Sequence, residues 1–243
     1  MEPRAVTASP VVTESRVIPV RRYPVKAMGG ESLQHVEVDA RGLVGDRWFA
    51  VTDADGKIAT GKNSRRFRRH DEVFSYAART DAEGVRVRGP GGEWSVGEAA
   101  LDAALTADLG TPVRVLPEGA VRHQDGGQVS LVGTASLAWC AERWGLDADP
   151  RRLRVNLLVE TDEPFVEETW VGATLAIGSA RFEVSERVVR CRMVDVPQDG
   201  AAAERGLLKP LGEERDTSLA VYLSVIVPGE VAVGGPVVVS RAS

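Results

Sequence analysis

Hydrophobic and polar residues alternate over short segments along most of the chain, a pattern that predicts β-strands. Turns rich in glycine, proline and aspartate separate these segments, and Asp-Gly at residues 55–56 favours a hairpin. Short strands at this spacing are typical of a sandwich or barrel. Residues 1–14 lack the pattern and are expected to form a frayed leader. The predicted strands are 16–25, 33–38, 47–52, 73–80, 84–88, 93–96, 113–116, 129–132, 152–160, 174–177, 181–189, 219–226 and 231–239.

Two segments have helical spacing instead. Residues 98–109 are rich in alanine and leucine. Residues 135–144 follow Thr134, which can cap a helix, and precede Gly145, which can end one. Cys140 falls on the apolar face of this second helix, so it is expected to pack in the core.

The pattern therefore predicts a mainly β protein of the α+β class, with a two-part β-barrel architecture and a few short helices. A polar, glycine-rich stretch at residues 118–127 is expected to be a loop at the domain boundary. The expected domains are residues 15–120 and residues 121–243.

Composition excludes some classes of function. The net charge is −5 and aromatic residues make up 5% of the chain, which argues against a nucleic-acid-binding protein. No apolar run is long enough to span a bilayer, and the N-terminus does not resemble a signal peptide. Two cysteines suggest free thiols in a reducing compartment, so a cytoplasmic location without membrane association is expected. The run of arginines at residues 65–69 is either a solvated face or a docking patch for an anionic partner.

The most informative chemistry lies around Cys191, at the end of a predicted strand and before a Pro/Asp/Gly turn. Arg190 and Arg192 flank it, and adjacent cations stabilise a thiolate, which is both a nucleophile and a soft metal ligand. From these residues alone, a buried structural cysteine is an equally good interpretation.

Several separated motifs extend this picture, and their order and spacing together resemble the MOSC family in its two-domain form. In that form an N-terminal β-barrel domain precedes the MOSC domain, and the resemblance is to the branch that contains the mitochondrial amidoxime-reducing proteins. The motifs are YPVKAM at 23–28, GLVGDRWF at 42–49, LRVNLLVE at 153–160, PFVEETW at 164–170, LAIGSARFEV at 175–184 and VVRCRMVDV at 188–196.

The resemblance implies a molybdenum cofactor, a molybdopterin whose metal is bound by two dithiolene sulfurs and one cysteine, and Cys191 occupies that position. The cofactor carries a phosphate, so cations and polar groups are expected around it. By the same resemblance the cofactor-binding residues are Lys26, Arg47, Thr134, Ser136, Arg154, Asn156 and Arg190.

Each of these assignments has a simpler alternative. Lys26 could be a surface cation, and Arg47 could pair with the adjacent Asp46. Arg154 and Asn156 would share one face of the strand predicted at 152–160, and that face could simply be exposed. Asp195 could orient the cysteine loop or form an Asx turn.

The chain also departs from the family pattern. Ala27 follows Lys26 where relatives tend to carry serine, and Val189 stands where a small polar residue is common. The turn after the cysteine reads VDVPQDG, which is altered from the family form. Relative to the family pattern, the residues at positions 27 and 189 remove hydroxyl contacts to the cofactor.

The leading functional hypothesis is a molybdenum oxidoreductase that reduces N-hydroxylated or N-oxide small molecules. Two cysteines cannot hold a four-cysteine cluster, so electrons would come from a separate flavin or iron–sulfur protein. The alternative is a carrier module that binds the cofactor, or its sulfur, without turnover. A cysteine-nucleophile enzyme would need a base near Cys191, and no histidine motif supplies one; zinc-ligand spacing is also missing.

Overall fold

The computed structural model describes residues 11–241, with side chains from residue 15 onward. Of the expected leader, residues 11–14 belong to the first strand, and residues 1–10 lie outside the described range. The strands are β1 (Val11–Arg22), β2 (Glu31–Leu33), β3 (His35–Asp39), β4 (Gly42–Leu43), β5 (Phe49–Asp53), β6 (Ile58–Thr60), β7 (Phe67–Arg69), β8 (Ala77–Asp81), β9 (Gly84–Gly89), β10 (Gly92–Ser95), β11 (Val113–Pro117), β12 (Val129–Gly133), β13 (Leu157–Val159), β14 (Thr174–Ile177), β15 (Ala180–Val189), β16 (Ser218–Val227), β17 (Gly229–Ala232) and β18 (Pro236–Ser240).

Short helices connect these strands. The α-helices are α1 (Ala99–Leu109), α2 (Thr134–Trp144), α3 (Pro150–Leu153) and α4 (Leu208–Arg215), and 3-10 helices form at Asp71–Ser75, Val166–Trp170 and Arg192–Asp195. The mainly β prediction is confirmed. None of the helices within residues 11–241 is both long enough and apolar enough to cross a bilayer.

Seven strands close into a barrel in the order β13-β12-β16-β15-β14-β18-β1. Strand β1 closes it, because it pairs antiparallel with β18 on one side and with β13 on the other. Alternate residues of β14 and β15 point inward, so Leu175, Ile177, Phe182 and Val184 have no exposed surface. The barrel of the C-terminal half therefore depends on a strand from the start of the chain.

The N-terminal half contains a four-stranded sheet, β11-β5-β6-β7, and a three-stranded sheet, β10-β9-β8. The hairpin predicted at Asp-Gly is confirmed by the antiparallel pairing of Thr52 with Ile58. Helix α1 buries Leu101, Leu105 and Leu109, spaced four residues apart, in the core of this half. A small sheet, β17-β3-β4, joins strands from both ends of the chain and ties the halves together.

The strand predicted over residues 152–160 is wrong in its first half. Pro150 stands at the start of helix α3, and the side chain of Asp149 accepts a hydrogen bond from the Arg151 N–H, so the segment begins a helical turn. Arg154 then ends this turn with a left-handed φ of 53°. Only Leu157–Val159 is extended, so Arg154 and Asn156 do not share a strand face.

Other predicted boundaries also need correction. The strand expected at 73–80 begins as the 3-10 helix Asp71–Ser75, and the last predicted strand is divided into β17 and β18 by Gly234 and Gly235. Helix α4 was missed, because its polar sequence has little apolar periodicity. Helix α2 begins at Thr134 itself, with Gly133 in the capping position, and ends at Gly145 as predicted.

Candidate functional site

A cleft of about 750 Å³, including its open mouth, lies between the closed barrel and the N-terminal half. Both halves contribute to its walls, because residues near position 26, 47 and 61 meet others near 125, 154 and 191. Six of the eight residues expected around a cofactor line this cleft: Lys26, Arg47, Arg154, Asn156, Arg190 and Cys191.

Two short segments bring the N-terminal cations to the cleft. Lys26 follows β1, and its N–H donates to the carbonyl of Phe49 at 2.8 Å, while the Arg47 N–H donates to the carbonyl of Tyr23 at 2.7 Å. Ala27 and Arg47 both adopt left-handed backbone, with φ of 68° and 53°. Non-glycine residues occupy this region at a cost of roughly 1 kcal/mol or more, and such residues cluster at functional sites.

A buried tyrosine ring organises the arginines. Three guanidinium groups lie over Tyr23: Arg154 at 4.3 Å, Arg47 at 4.7 Å and Arg21 at 5.7 Å from the ring centroid. Tyr23 is fully buried, and burial raises the pKa of its phenol, with the three arginines acting in the opposite direction. The neutral ring therefore stabilises three neighbouring guanidinium groups, although not every one of them pairs with a carboxylate.

Arg154 and Arg190 each present one nitrogen without a partner. Arg154 Nη1 donates to Gln198 Oε1 at 3.4 Å, while its Nη2 is buried and has no hydrogen-bond partner. Arg190 donates from Nε to the Leu219 carbonyl and from Nη1 to the Leu153 carbonyl, while its Nη2 is likewise buried and unpartnered. Burial lowers the pKa of both side chains to about 10. Buried donors without partners are costly, so both positions suit an anionic ligand.

Asn156 lines the cleft, but the protein itself occupies its side-chain amide. Its Oδ1 accepts hydrogen bonds from the Ser130 N–H and hydroxyl at 3.1 Å and from Arg47 Nη1 at 3.3 Å. Its Nδ2 donates to the carbonyl of Arg21 at 3.1 Å. The amide therefore connects β1, β12 and Arg47 and sets the shape of the cleft.

Arg47 also contacts Asp46, as the simpler alternative suggested, but this pair is not on the surface. The Asp46 side chain is fully buried, and Arg47 Nη2 donates to the Arg154 carbonyl at 2.9 Å. Burial works against the charge of Arg47, but Asp46 and nearby tyrosines more than compensate and raise its pKa. Arg47 is therefore a fixed cation in the wall of the cleft.

Lys26 shares a carboxylate with a residue that sequence reasoning missed. Lys26 Nζ lies 3.2 Å from Asp125 Oδ2, and Lys62 Nζ lies 3.4 Å from Asp125 Oδ1. Burial lowers the pKa of Lys26 to about 8, although Asp125 acts to raise it. Both lysines also lie about 5 Å from the centroid of the Phe67 ring. This end of the cleft thus contains two ammonium groups and an internal counter-anion.

Cys191 is half-buried, and its two flanking arginines are held in opposite directions. Arg190 reaches into the C-terminal half through the Leu153 and Leu219 carbonyls. Arg192 reaches into the N-terminal half and forms a bidentate pair with Asp71. The cations that the sequence placed beside the thiol are thus engaged with the protein on either side of it.

Thr134 and Ser136, the other two expected cofactor contacts, do not line the cleft. The Ser136 hydroxyl is fully buried and donates to Glu167 at 2.7 Å, and the Thr134 hydroxyl donates to the Thr161 carbonyl at 3.3 Å. Because α2 begins immediately at Thr134, its first turn packs on the loop after β13 instead of facing the cleft. Asp195 does not form an Asx turn. Its Oδ1 accepts from the backbone N–H groups of Leu207 and Leu208 near the start of α4, and these bonds tie the 3-10 helix after Cys191 to that segment.

Tyr222, Lys62 and Asp125 are cleft residues that the sequence did not identify. Gly126 and Gly127 lie so close to the Tyr222 side chain that a Cβ added to them would lie 2.6 Å and 2.4 Å, respectively, from its atoms. The HQDGGQ turn at residues 123–128 was a possible signal, since an aspartate followed by two glycines suggests close approach to another group. Nothing in the sequence around Lys62 indicated that this residue lines the cleft.

Other predicted features lie away from the cleft. Cys140 is buried in the core as expected, and burial raises the pKa of its thiol to about 12. In the arginine run, Arg66 donates to a carbonyl, while Arg68 and Arg69 pair with aspartates, so Arg65 alone is without a partner among the described residues. No histidine within residues 11–241 lines the cleft, and no cluster of three metal-ligating residues occurs there.

Comparison with known protein families gives two matches that together span most of the chain. Residues 14–114 match the MOSC N-terminal beta barrel domain, and residues 110–238 match the MOSC domain. The molybdenum cofactor sulfurase of Danio rerio is 36% identical over 76 residues. That match covers 30% of this chain and 9% of the sulfurase, so the chain corresponds to a small part of that protein.

A solved structure supports the fold. The YuaD protein of Bacillus subtilis superposes with a TM-score of 0.55 over 94% of this chain and 97% of its own, at 12% identity. The YiiM protein of Geobacillus stearothermophilus has 18% identity and a TM-score of 0.37, covering 47% of this chain and 55% of its own. At these identities the YuaD likeness shows a shared fold alone.

Proposed function

The chain belongs to the MOSC domain family and its function is associated with the molybdenum cofactor, and we propose that it binds this cofactor through Cys191 to reduce N-hydroxylated or N-oxide small molecules. One observation carries the proposal: the half-buried Cys191 lines the same cleft as Arg154 and Arg190, and each of these arginines has one buried guanidinium nitrogen without a partner in the protein. The name of the Danio rerio relative, molybdenum cofactor sulfurase, points to the same cofactor.

The cleft fits a group that combines a soft metal with an anionic tail. A thiolate suits molybdenum as a soft ligand. Arg154, Arg190 and the Lys26–Lys62 pair can receive phosphate and the polar edges of a pterin, since guanidinium groups bind oxyanions bidentately. These side chains are positioned before any ligand arrives, because Tyr23 and the backbone carbonyls already hold them.

The bound cofactor would supply two-electron oxo-transfer chemistry. In the overall reaction, an N-hydroxylated amine takes up two electrons and two protons, its N–O bond breaks, and the parent amine and one water are released. The chain's residues bind and orient the reacting groups. Lys26 and the Tyr222 phenol are proton carriers in the lining, and burial raises the pKa of Tyr222, which keeps its proton on at neutral pH.

The electrons would come from a separate flavin or iron–sulfur protein, because this chain has two cysteines, one of them in the core. Such a partner would dock transiently on a charged surface. Most of the arginine run at residues 65–69 is already paired within the protein, so any docking role for it would depend mainly on Arg65.

The test compares the wild-type protein with Cys191→Ala and the control Cys140→Ala. Purified protein is assayed for molybdenum and pterin content and then for reduction of a model N-hydroxylated substrate with a chemical reductant. We expect Cys191→Ala to lose bound molybdenum and turnover, and Cys140→Ala to keep both. Turnover by a Cys191→Ala protein would contradict the proposal. Bound cofactor in the wild type without turnover would favour the carrier module instead.

A further inference from the structure

Cys191 lies between two arginines, each of which is anchored in a different half of the molecule. Arg190 donates to the carbonyls of Leu219 at 2.7 Å and Leu153 at 2.8 Å, both in the C-terminal half. Arg192 donates from Nη1 to Asp71 Oδ1 at 2.8 Å and from Nη2 to Asp71 Oδ2 at 2.7 Å. The backbone at the sulfur is thereby held from both sides.

The contact on the N-terminal side has well-formed geometry. The two parallel bonds make a bidentate guanidinium–carboxylate pair, the arrangement with the strongest directional preference among ion pairs. Arg192 Nη1 also donates to the carbonyl of Gly61 at 3.1 Å, and Gly61 itself lines the cleft. Arg192 thus connects the cysteine segment to the strand end that carries Lys62.

Asp71 stands on a rigid support. It begins the 3-10 helix Asp71–Ser75, in which Val73 and Phe74 are buried in the core of the N-terminal half. Hydrogen bonds from Arg192, and then from Arg69, lower the pKa of Asp71 to about 2, so its carboxylate stays charged at all ordinary pH values.

The residues after Cys191 divide between the two cores in the same way. Val194 is buried in the core around α2 and α4, whereas Met193 and Val196 pack against the N-terminal core. The 3-10 helix Arg192–Asp195 therefore bridges the halves, and a shift of one half relative to the other would move the sulfur.

We propose that Asp71 is a positioning residue for Cys191: through its bidentate pair with Arg192, the N-terminal half sets where the sulfur sits in the cleft. This inference adds to the proposed function a residue outside the cleft wall that determines the ligand geometry. It predicts that loss of the pair changes the exposure and orientation of the Cys191 thiol without unfolding the protein.

The test is carried out first on cofactor-free protein, by measuring the rate at which a maleimide labels Cys191. Cys140 is fully buried, so labelling of the folded protein reports on Cys191 alone. Asp71→Asn removes the carboxylate that pairs with both Arg192 and Arg69. We expect it to increase the labelling rate about five-fold, the factor that corresponds to about 1 kcal/mol of lost ion pairing at a partly exposed site. Asp71→Glu keeps the carboxylate, so its labelling rate should be close to that of the wild type.

The matched control is Asp55→Asn, which removes an exposed carboxylate of the same half that pairs with Arg68 at 2.7 Å. This control should label at the wild-type rate. An unchanged rate in Asp71→Asn would overturn the proposal, and so would a faster rate that Asp55→Asn reproduces or that matches the rate of global unfolding measured in urea.

A second readout uses protein loaded with cofactor. The Mo(V) electron paramagnetic resonance signal reports the geometry of the metal–sulfur bond, and we expect Asp71→Asn to shift or broaden it while Asp55→Asn does not. An Asp71→Asn signal identical to that of the wild type would overturn the proposal. If no form of the protein binds molybdenum, the proposed function fails, whereas the labelling experiment still decides the role of Asp71.

Discussion

Lys26 should destabilise the protein when its site holds no ligand, and this cost can be measured. Its side chain is 7% exposed, and burial lowers its pKa to about 8 from the ordinary 10.5. At pH 7 the amine is therefore about nine-tenths protonated and carries a charge in a buried site. We expect Lys26→Met, which keeps the apolar stem, to increase the free energy of unfolding of the cofactor-free protein.

The magnitude follows from the pKa. A fall from 10.5 to about 8 corresponds to about 3 kcal/mol of unfavourable free energy for the charged form in the folded state. The pair with Asp125 is already part of this shift, because it acts to raise the pKa against the effect of burial. The expected net gain at pH 7 is therefore about 3 kcal/mol.

The gain should depend on pH with a definite sign. Between pH 8 and 10.5 the unfolded chain keeps the Lys26 proton while the folded protein has released it, so wild-type stability rises with pH over this window. The difference between Lys26→Met and the wild type should therefore shrink as pH is raised from 7 to 10.5. This difference in the free energy of unfolding is measured by urea unfolding at several pH values, with tryptophan fluorescence as the signal.

Binding of an anion gives the complementary readout. Inorganic pyrophosphate, measured by calorimetry, should bind the wild type more weakly as pH rises through 8 and should bind Lys26→Met weakly at every pH. Lys62→Met is the matched control, since its side chain is 39% exposed and shares the same carboxylate. It should change stability by less than about 1 kcal/mol. A Lys26→Met protein that is no more stable than the wild type at pH 7, or whose advantage persists unchanged to pH 10.5, would refute the reasoning.

Three further substitutions test other parts of the cleft. Asp125→Asn should bind pyrophosphate about five-fold more tightly at pH 6 in calorimetry, because it removes an internal competitor for the two lysines; weaker binding would contradict this role. Arg154→Met should reduce pyrophosphate affinity about ten-fold while the thermal midpoint is unchanged or higher, because removing a buried charge with an unpartnered Nη2 offsets the loss of the Tyr23 and Gln198 contacts; unchanged affinity would place the anion elsewhere. Gly127→Ala should lower stability by about 1–3 kcal/mol in urea unfolding, because its Cβ would lie 2.4 Å from the Tyr222 side chain; a neutral effect would mean that the turn can move away from the ring.

Asp125 determines the electrostatic character of one end of the cleft. Its carboxylate lies between two ammonium groups at the position where an anionic ligand would be stabilised. A phosphate-bearing ligand must therefore replace this carboxylate or share the lysines with it. The turn at residues 123–128 that carries Asp125 is thus the segment whose position decides access to this end of the cleft.

Sequence patterns were sufficient for the features that depend on local physics. Alternation identified β14 and β15, since one face of each strand is buried in the barrel. Helical spacing placed Cys140 in the core, and the motif around Cys191 identified the thiol that lines the cleft. Local pattern failed at residues 152–156, where an aspartate cap and a proline favour a helical turn over the strand that the apolar residues suggest.

Only the tertiary structure decided which side chains meet. The barrel is closed by β1, which lies far from its partners in sequence, and the cleft exists because the two halves are packed together. Asp71 reaches Arg192, and Asp125 reaches Lys26, across more than 90 positions of the chain. No periodicity encodes such pairs, since their geometry depends on the packing of whole elements. The family resemblance implied a role for Ser136 near the cofactor, whereas the packing of α2 directs its hydroxyl to the buried carboxylate of Glu167.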